Sequence, residues 1–222
     1  AGRSFQVGVG TGAYKVNQTQ DLAPSVNDGW ELGLKFKPAA WADGRVALWQ
    51  QTASNEARRR LNDPANDAEN IGKTRRRGLD VELNAQLNRQ TRAWAAVSWQ
   101  RSRILKADSA SLATEGQEID HVPHTLASLG LEHPLGADWK LSGWLSHQGA
   151  YYVERSNSTG RWGGFTLLHA ALGYRFSPQV SVELQLRNLG NRRHEYVWFD
   201  GAQTLHAPGA PRSGFASLTA KF

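Results

Sequence analysis

Cysteine and methionine are both absent from the 222 residues. The first absence removes any disulfide framework and any thiolate metal site, and it fits an extracytoplasmic chain whose closure does not depend on redox chemistry. The second predicts a piece cut from a longer chain. Residues 1–15 add to this, because they show no basic region followed by an apolar one and so carry no signal peptide. Long hydrophobic runs are missing as well. No apolar stretch approaches the ~20 residues that a membrane helix needs, and mean hydropathy is −0.54. Helical membrane spans are therefore excluded.

The sequence words of catalysis are also lacking. Serines, histidines and acids are present, but no nucleophile elbow orders them. Ser142, Ser146 and His147 lie close together in sequence and read more cheaply as polar lining. The glycines of residues 160–164 lack the Lys-Ser/Thr of a phosphate loop and read as loop flexibility. An enzyme is not expected.

Charge is unevenly spread. Lys and Arg number 26 against 20 Asp and Glu, a formal net charge of +6. The positive residues bunch at Arg58, Arg59 and Arg60 and again at Lys73, Arg75, Arg76 and Arg77. Such runs invite a nucleic-acid reading. Both, however, flank a polar segment (residues 62–70) and lead into a strand pattern. Their expected place is a solvated loop rim near anionic lipid headgroups, with no nucleic-acid partner.

What the sequence has in abundance is period two. Val180, Val182, Leu184 and Leu186 alternate with Ser181, Glu183, Gln185 and Arg187 without an error, which sends aliphatic side chains to one face of a strand and polar ones to the other. Residues 79–87 repeat the pattern. A soluble sandwich would turn the apolar face to a core, whereas an outer-membrane barrel turns it to lipid and lines its lumen with the polar face.

Length and turns decide between these. Ten candidate strands fall at residues 3–14, 27–37, 45–54, 74–88, 91–103, 121–133, 138–149, 162–176, 179–190 and 211–222. Many are near or above the ~9 to 11 residues of a tilted membrane strand. Short turns at residues 38–44, 88–90, 134–138 and 177–179 alternate with long polar loops at residues 10–28, 54–73, 104–120, 149–161 and 189–210. Short turns on one rim and long loops on the other mark periplasmic and extracellular sides of a barrel. Aromatics agree, because Phe36, Trp41, Trp139, Tyr174, Phe176 and Phe222 collect at the short-turn end, and Trp30, Trp99, Tyr151, Tyr152 and Trp162 toward the other. The expected fold is an all-β, antiparallel, up-and-down transmembrane β-barrel.

Four sequence words then carry a family likeness. Trp30-Glu31-Leu32-Gly33-Leu34-Lys35, then residues 72–83 with Lys73-Thr74-Arg75-Arg76-Arg77-Gly78, then Asn188-Leu189-Gly190-Asn191 with Tyr196 beyond, and Pro208-Gly209-Ala210-Pro211-Arg212 leading to a terminal Phe222 follow one another along the chain. In this order they resemble the closing barrel segments of TonB-dependent receptors of the siderophore type. Local chemistry suits each: Gly78 is read as opening a strand at a bend, Asn188 and Asn191 as turn residues, and the prolines as preceding a last strand where no N–H is missed.

The resemblance implies that residues 1–222 are about ten C-terminal strands of a barrel of about 22, held in the bacterial outer membrane as a multi-pass protein. The plug, the segment that meets TonB and the earlier strands would lie outside these residues. It implies active import of a ferric siderophore with TonB-coupled energy, the iron complex being cargo and not a bound cofactor. Heme or cobalamin import within the same family, or a passive porin or adhesin barrel, are the alternatives. Phe222 looks like the signal read by the barrel-assembly machinery. Outer-membrane lipid and lipopolysaccharide are the remaining partners. Ten strands cut from a larger barrel are expected not to close, since both edges stay unpaired.

Ligand capture falls to the loops. Tyr151, Tyr152, Arg155, Trp162, Arg192, Arg193, Tyr196 and Trp198 combine aromatic faces with cations, a surface suited to an anionic ferric chelate rich in catecholate or carboxylate. No metal site is expected among the seven histidines. His121 and His124 flank Pro123 in a segment read as extended, where residues three apart face opposite ways. His194 and His206 are the loop histidines that heme capture would use.

Overall fold

Ladders of alternating side chains need neighbours of the same kind, and the chain supplies them by folding back on itself at every turn. In the computed structural model, which describes residues 1–6, 24–59, 68–70, 72–107, 113–200 and 202–221, ten strands form one antiparallel sheet in chain order. These are β1 (Gly2–Gln6), β2 (Ser25–Ala39), β3 (Ala42–Ser54), β6 (Lys73–Gln86), β7 (Arg92–Lys106), β8 (Thr125–Leu135), β9 (Trp139–Gln148), β12 (Phe165–Arg175), β13 (Val180–Arg187) and β16 (Ser213–Ala220). The six remaining strands make three small hairpins in the long connections. They are β4 (Ala57–Arg59) with β5 (Ala68–Asn70), β10 (Tyr151–Tyr152) with β11 (Arg161–Trp162), and β14 (Glu195–Phe199) with β15 (Thr204–Pro208). The sheet is open, with β1 and β16 at its edges.

Register carries the alternation across every strand. Leu32, Leu48, Leu79 and Trp99 are successive direct partners on β2, β3, β6 and β7. Farther along, Leu135, Trp139, Tyr174, Val182 and Leu218 are partners on β8, β9, β12, β13 and β16. Directly opposed residues share a face, so one surface of the sheet is continuously apolar. Its large side chains are exposed: Leu32 at 70%, Leu34 at 62% and Leu218 at 71%. Large apolar side chains exposed strand after strand on one face mark a surface made to be covered, and in a barrel wall the cover is lipid.

Polar groups on the opposite face find one another. Arg45 pairs with Glu82, and Ser98 donates to Asp80 at 2.7 Å. This face also carries Trp49, Trp94 and Trp144 in place of a uniformly polar lining. The first two lie over glycines: a Cβ on Gly78 would meet the Trp49 ring at 2.6 Å, and one on Gly130 would meet Trp94 at 2.9 Å. Cross-strand aromatic cover of a glycine packs a position that otherwise weakens a strand.

Several boundaries differ from the sequence reading, each for a local reason. The first hairpin turn is only Ala40 and Trp41, with Ala39 opposite Ala42, because a register shift between Phe36 and Ala39 absorbs Pro38 and its missing N–H. Gly78 lies within β6 under the indole of Trp49 and does not open the strand at a bend. β8 starts at Thr125 and not at 121, since His121 has a φ of +59° and turns the chain. His124 and His121 are thus not on an extended segment. Gly163, with a φ of +73°, separates β11 from β12. Asn188 and Asn191, at +53° and +46°, end β13 as turn residues. His147 sits on the lipid side, opposite Ala127, and bonds Thr166 at 2.8 Å, unlike Ser142 and Ser146. Residues 7–14 of the first candidate strand and Phe222 lie outside the described residues.

Three of the aromatics expected at the short-turn end meet there. Trp139 and Tyr174 are direct partners with ring centroids 4.5 Å apart, and Phe176 meets Tyr174 edge-on at 4.7 Å. They sit beside the short turns, as an interfacial girdle requires.

Candidate functional site

Three long connections at the other rim interlock into one body. The segment after β7 packs Ile104, Ala107 and Ile119 together with Val122 against them. The connection between β9 and β12 and the one between β13 and β16 share a second small core of Tyr151, Val153, Val197 and Phe199. Asn157 ties the first to the second, donating to the Glu118 carbonyl at 3.0 Å and accepting from the Glu118 N–H at 2.7 Å. Each loop therefore braces its neighbour.

Tyr151 and Arg155 are drawn into this body. Tyr151 is 7% exposed, and its hydroxyl meets the Val197 carbonyl at 3.1 Å and the Val197 N–H at 3.2 Å. Arg155 is 9% exposed and faces Asp120 at 3.8 Å. The other candidates stay accessible. Tyr152 carries the Arg161 guanidinium over its ring at 4.7 Å. Trp162 donates to the Thr159 carbonyl and stands edge-on to His206, 5.2 Å away. Tyr196 and Trp198 project from the same side of β14, 48% and 41% exposed, while Val197 between them is buried. Arg192 and Arg193 are exposed at the start of that loop.

Charge organises the rim beyond those eight. Arg161 places one nitrogen 2.9 Å from both Glu118 oxygens and another 3.0 Å from His124, which itself meets Glu118 at 2.7 Å. Glu154 is wrapped by its own loop. Burial would push its carboxyl up, but the Ser156 hydroxyl and the N–H groups of Thr159, Ser156 and Ser158 together outweigh that and hold it below the usual carboxylate range. Asp200 is likewise held low by the N–H groups of Gln203 and Ala202, each 2.8 Å away, closing the β14–β15 hairpin. Sequence reasoning missed Glu118, Arg161 and Glu154. The Glu154-Arg155-Ser156-Asn157-Ser158-Thr159 run was the available signal, since an acid followed by hydroxyl residues builds a self-capped turn.

Both histidines considered for heme are occupied within the loop. His206 meets Glu195 at 2.9 Å, and His194 packs on Phe165 with ring centroids 4.8 Å apart. Among the described residues no group of three or more His, Cys, Asp or Glu is placed to hold a metal ion.

Compared with known families, residues 1–189 match the model described as TonB dependent receptor-like, beta-barrel. The chain belongs to this family. It is a stretch of outer-membrane receptor wall, and its relatives are transport receptors and not enzymes. An uncharacterized TonB-dependent receptor of Haemophilus influenzae is 26% identical over 184 residues, covering 78% of this chain and 52% of the relative. The ferric-pyoverdine M114 receptor PbuA of Pseudomonas sp. strain M114 is 26% identical, covering 95% of this chain and 26% of that receptor. The chain thus spans about half the length of the first relative and a quarter of the second. Among solved structures, the unliganded ferric citrate transporter FecA superposes with a TM-score of 0.75 at 20% identity, covering 91% of this chain and 32% of that one. The ferric yersiniabactin uptake receptor FyuA of Yersinia pestis gives 0.75 at 17%, covering 94% and 33%. At these identities the structures establish the fold.

Proposed function

We propose that this chain forms wall and part of the binding rim of a receptor that imports a ferric siderophore, using energy delivered through TonB. The observation that carries the reading is the arc of exposed Trp162, Tyr196 and Trp198 with half-buried Tyr152, beside Arg192 and Arg193 and held up by the buried Tyr151 and Arg155. Aromatic faces and guanidinium groups suit the catecholate or carboxylate donors of an iron chelate. Relatives named for ferric pyoverdine, ferric citrate and ferric yersiniabactin point the same way. TonB would engage a part of the receptor outside this chain. Phe222 would serve as the signal for the barrel-assembly machinery, and lipopolysaccharide would surround the outer half of the wall.

The test is uptake of radiolabelled ferric siderophores by an iron-starved, receptor-deficient bacterium expressing the full-length receptor, with and without TonB. Uptake that vanishes without TonB supports the proposal. Uptake indifferent to TonB sinks it in favour of a passive pore, and transport of heme or cobalamin alone would reassign the cargo.

A further inference from the structure

Two neighbouring strands oppose like charges where unlike charges would be expected. At the long-loop end of the β6–β7 pair, Lys73 lies opposite Lys106, Arg75 opposite Arg103, and Arg77 opposite Arg101. Like charges directly opposed across an antiparallel pair destabilise it. Here two arginine rungs follow in regular register, and the lysine rung lies just beyond a register shift at Lys73 and Thr74.

Parity puts the four arginines and Lys73 on the lipid side, while a register shift between Lys73 and Thr74 takes Lys106 off the alternation of β7. The next rung down is Leu79 opposite Trp99, part of the apolar face, and Arg77, Arg75 and Lys73 follow at every second residue. Arg76 and Thr74 point the other way, where both bond the carboxylate of Glu56. On β3 the flanking partners are Gln50, Thr52 and Ser54, which carry no charge. Among the described residues no carboxylate pairs with any of the four arginines. Arg77, Arg101 and Arg103 are exposed, and Arg75 is half-buried.

At the foot of the ladder a shallow depression of about 660 Å³ opens on the outer surface, lined by Trp30, Leu48, Gln50, Arg77, Trp99 and Arg101 among others. Trp30 and Trp99, each 47% exposed, mark the level where hydrocarbon gives way to headgroups. A cationic ladder rising from that level meets the headgroup layer of the outer leaflet.

We propose that Arg75, Arg77, Arg101 and Arg103, with Lys73 above them, form a binding site for the phosphate groups of lipopolysaccharide, whose sugar backbone lies across the Trp30–Trp99 depression. A planar guanidinium donates two parallel hydrogen bonds to phosphate. Two opposed arginines present two such forks to one anion, so the repulsion within each rung becomes attraction for a shared ligand. The site rests on the outer-membrane placement and not on the identity of the cargo.

The full-length receptor in detergent would be titrated with bisphosphorylated lipid A and with the same lipid dephosphorylated, binding being read by native mass spectrometry. The expected result is preference for the phosphorylated form, and a loss on the order of ten-fold or more in a variant carrying Arg75→Gln, Arg77→Gln, Arg101→Gln and Arg103→Gln, as removal of at least one charge-assisted contact requires. Inorganic phosphate at matching concentration should not displace the lipid. A second variant guards against misfolding: Arg75→Glu creates an opposite-charge rung with Arg103, so it should hold or raise thermal stability while weakening lipid A binding. Equal binding of the two lipids, undiminished binding by the four-glutamine variant, or displacement by inorganic phosphate would each overturn the site. Iron uptake by the same variants reports separately on the transport reading.

Discussion

The hydroxyl of Tyr151 holds both backbone groups of Val197, donating to its carbonyl and accepting from its N–H. One phenol thus joins the β10–β11 hairpin to the middle of β14, from two connections that are 46 residues apart in sequence. Tyr151→Phe keeps the ring and strands both Val197 groups in a buried setting, a local cost of roughly 1–3 kcal/mol. Hydrogen exchange at Val197 and protease cutting within 195–208 should rise in the full-length receptor, while the wall strands keep their protection. Unchanged exchange at Val197 would show that the two hairpins dock without this tie.

Gly78 has no room for a side chain. A Cβ there would stand 2.7 Å from the Trp99 carbonyl as well as 2.6 Å from Trp49. Gly78→Val is expected to reduce the folded, heat-modifiable fraction on gels, and adding Trp49→Leu should recover it only in part, because the carbonyl contact remains. Complete recovery would mean that the indole alone enforces glycine.

Arg76 and Glu56 should matter more than their position at a loop suggests. The guanidinium places two nitrogens 2.7 and 2.9 Å from separate Glu56 oxygens, with both side chains less than one-fifth exposed. Breaking a fully buried pair from one side typically costs about 3–5 kcal/mol and an exposed one such as Lys140 with Glu132 roughly 0–1 kcal/mol, and this part-buried fork falls between them. Glu56→Ala should therefore lower the melting temperature in detergent markedly, and Glu132→Ala hardly at all. Arg76→Lys should not rescue the fork, since an ammonium has a single point of charge.

Glu154 makes the rim sensitive to acid. Its folded carboxyl titrates below the ordinary value, so the stabilisation is present above the unfolded value, around 4.3 for glutamate, and is lost as pH falls through the folded one. Residues 153–160 should loosen at strongly acidic pH and stay ordered at neutrality, with Glu154→Gln removing the pH dependence. Proteolysis of the loop across a pH series tests this, and a loop equally protected at every pH would contradict it.

The wall was legible because period two is a property of single strands. The run from Val180 to Arg187 states its own faces, and register only copies them to neighbours. Ends were less legible. Pro38 is absorbed into a bulge, and Asp120–His121 turns a segment that looks extended, both of which depend on partners that the sequence does not order. The rim was legible as a set of residue types and not as roles. Tyr151 and Trp162 are direct partners on one hairpin, yet one is buried and the other exposed, a difference made by Val197 arriving from a distant connection. The like-charged rungs of β6 and β7 were half visible as a basic run on β6. Their meaning came only when β7 supplied the opposing cations.

Asn188 is 2% exposed and donates to the carbonyls of both Arg192 and Ala210, while its own oxygen accepts the Arg192 N–H. A single amide thus pins the beginning and the end of the β14–β15 connection to one spot above β13. Closing a flexible loop grows costlier only slowly with its length, and here the closure is made by the anchor and not by the span. Whatever lies between those two points can lengthen, shorten or change its chemistry without shifting the register of β13 against β16. That loop is in this way an exchangeable cassette mounted on a fixed membrane-embedded framework.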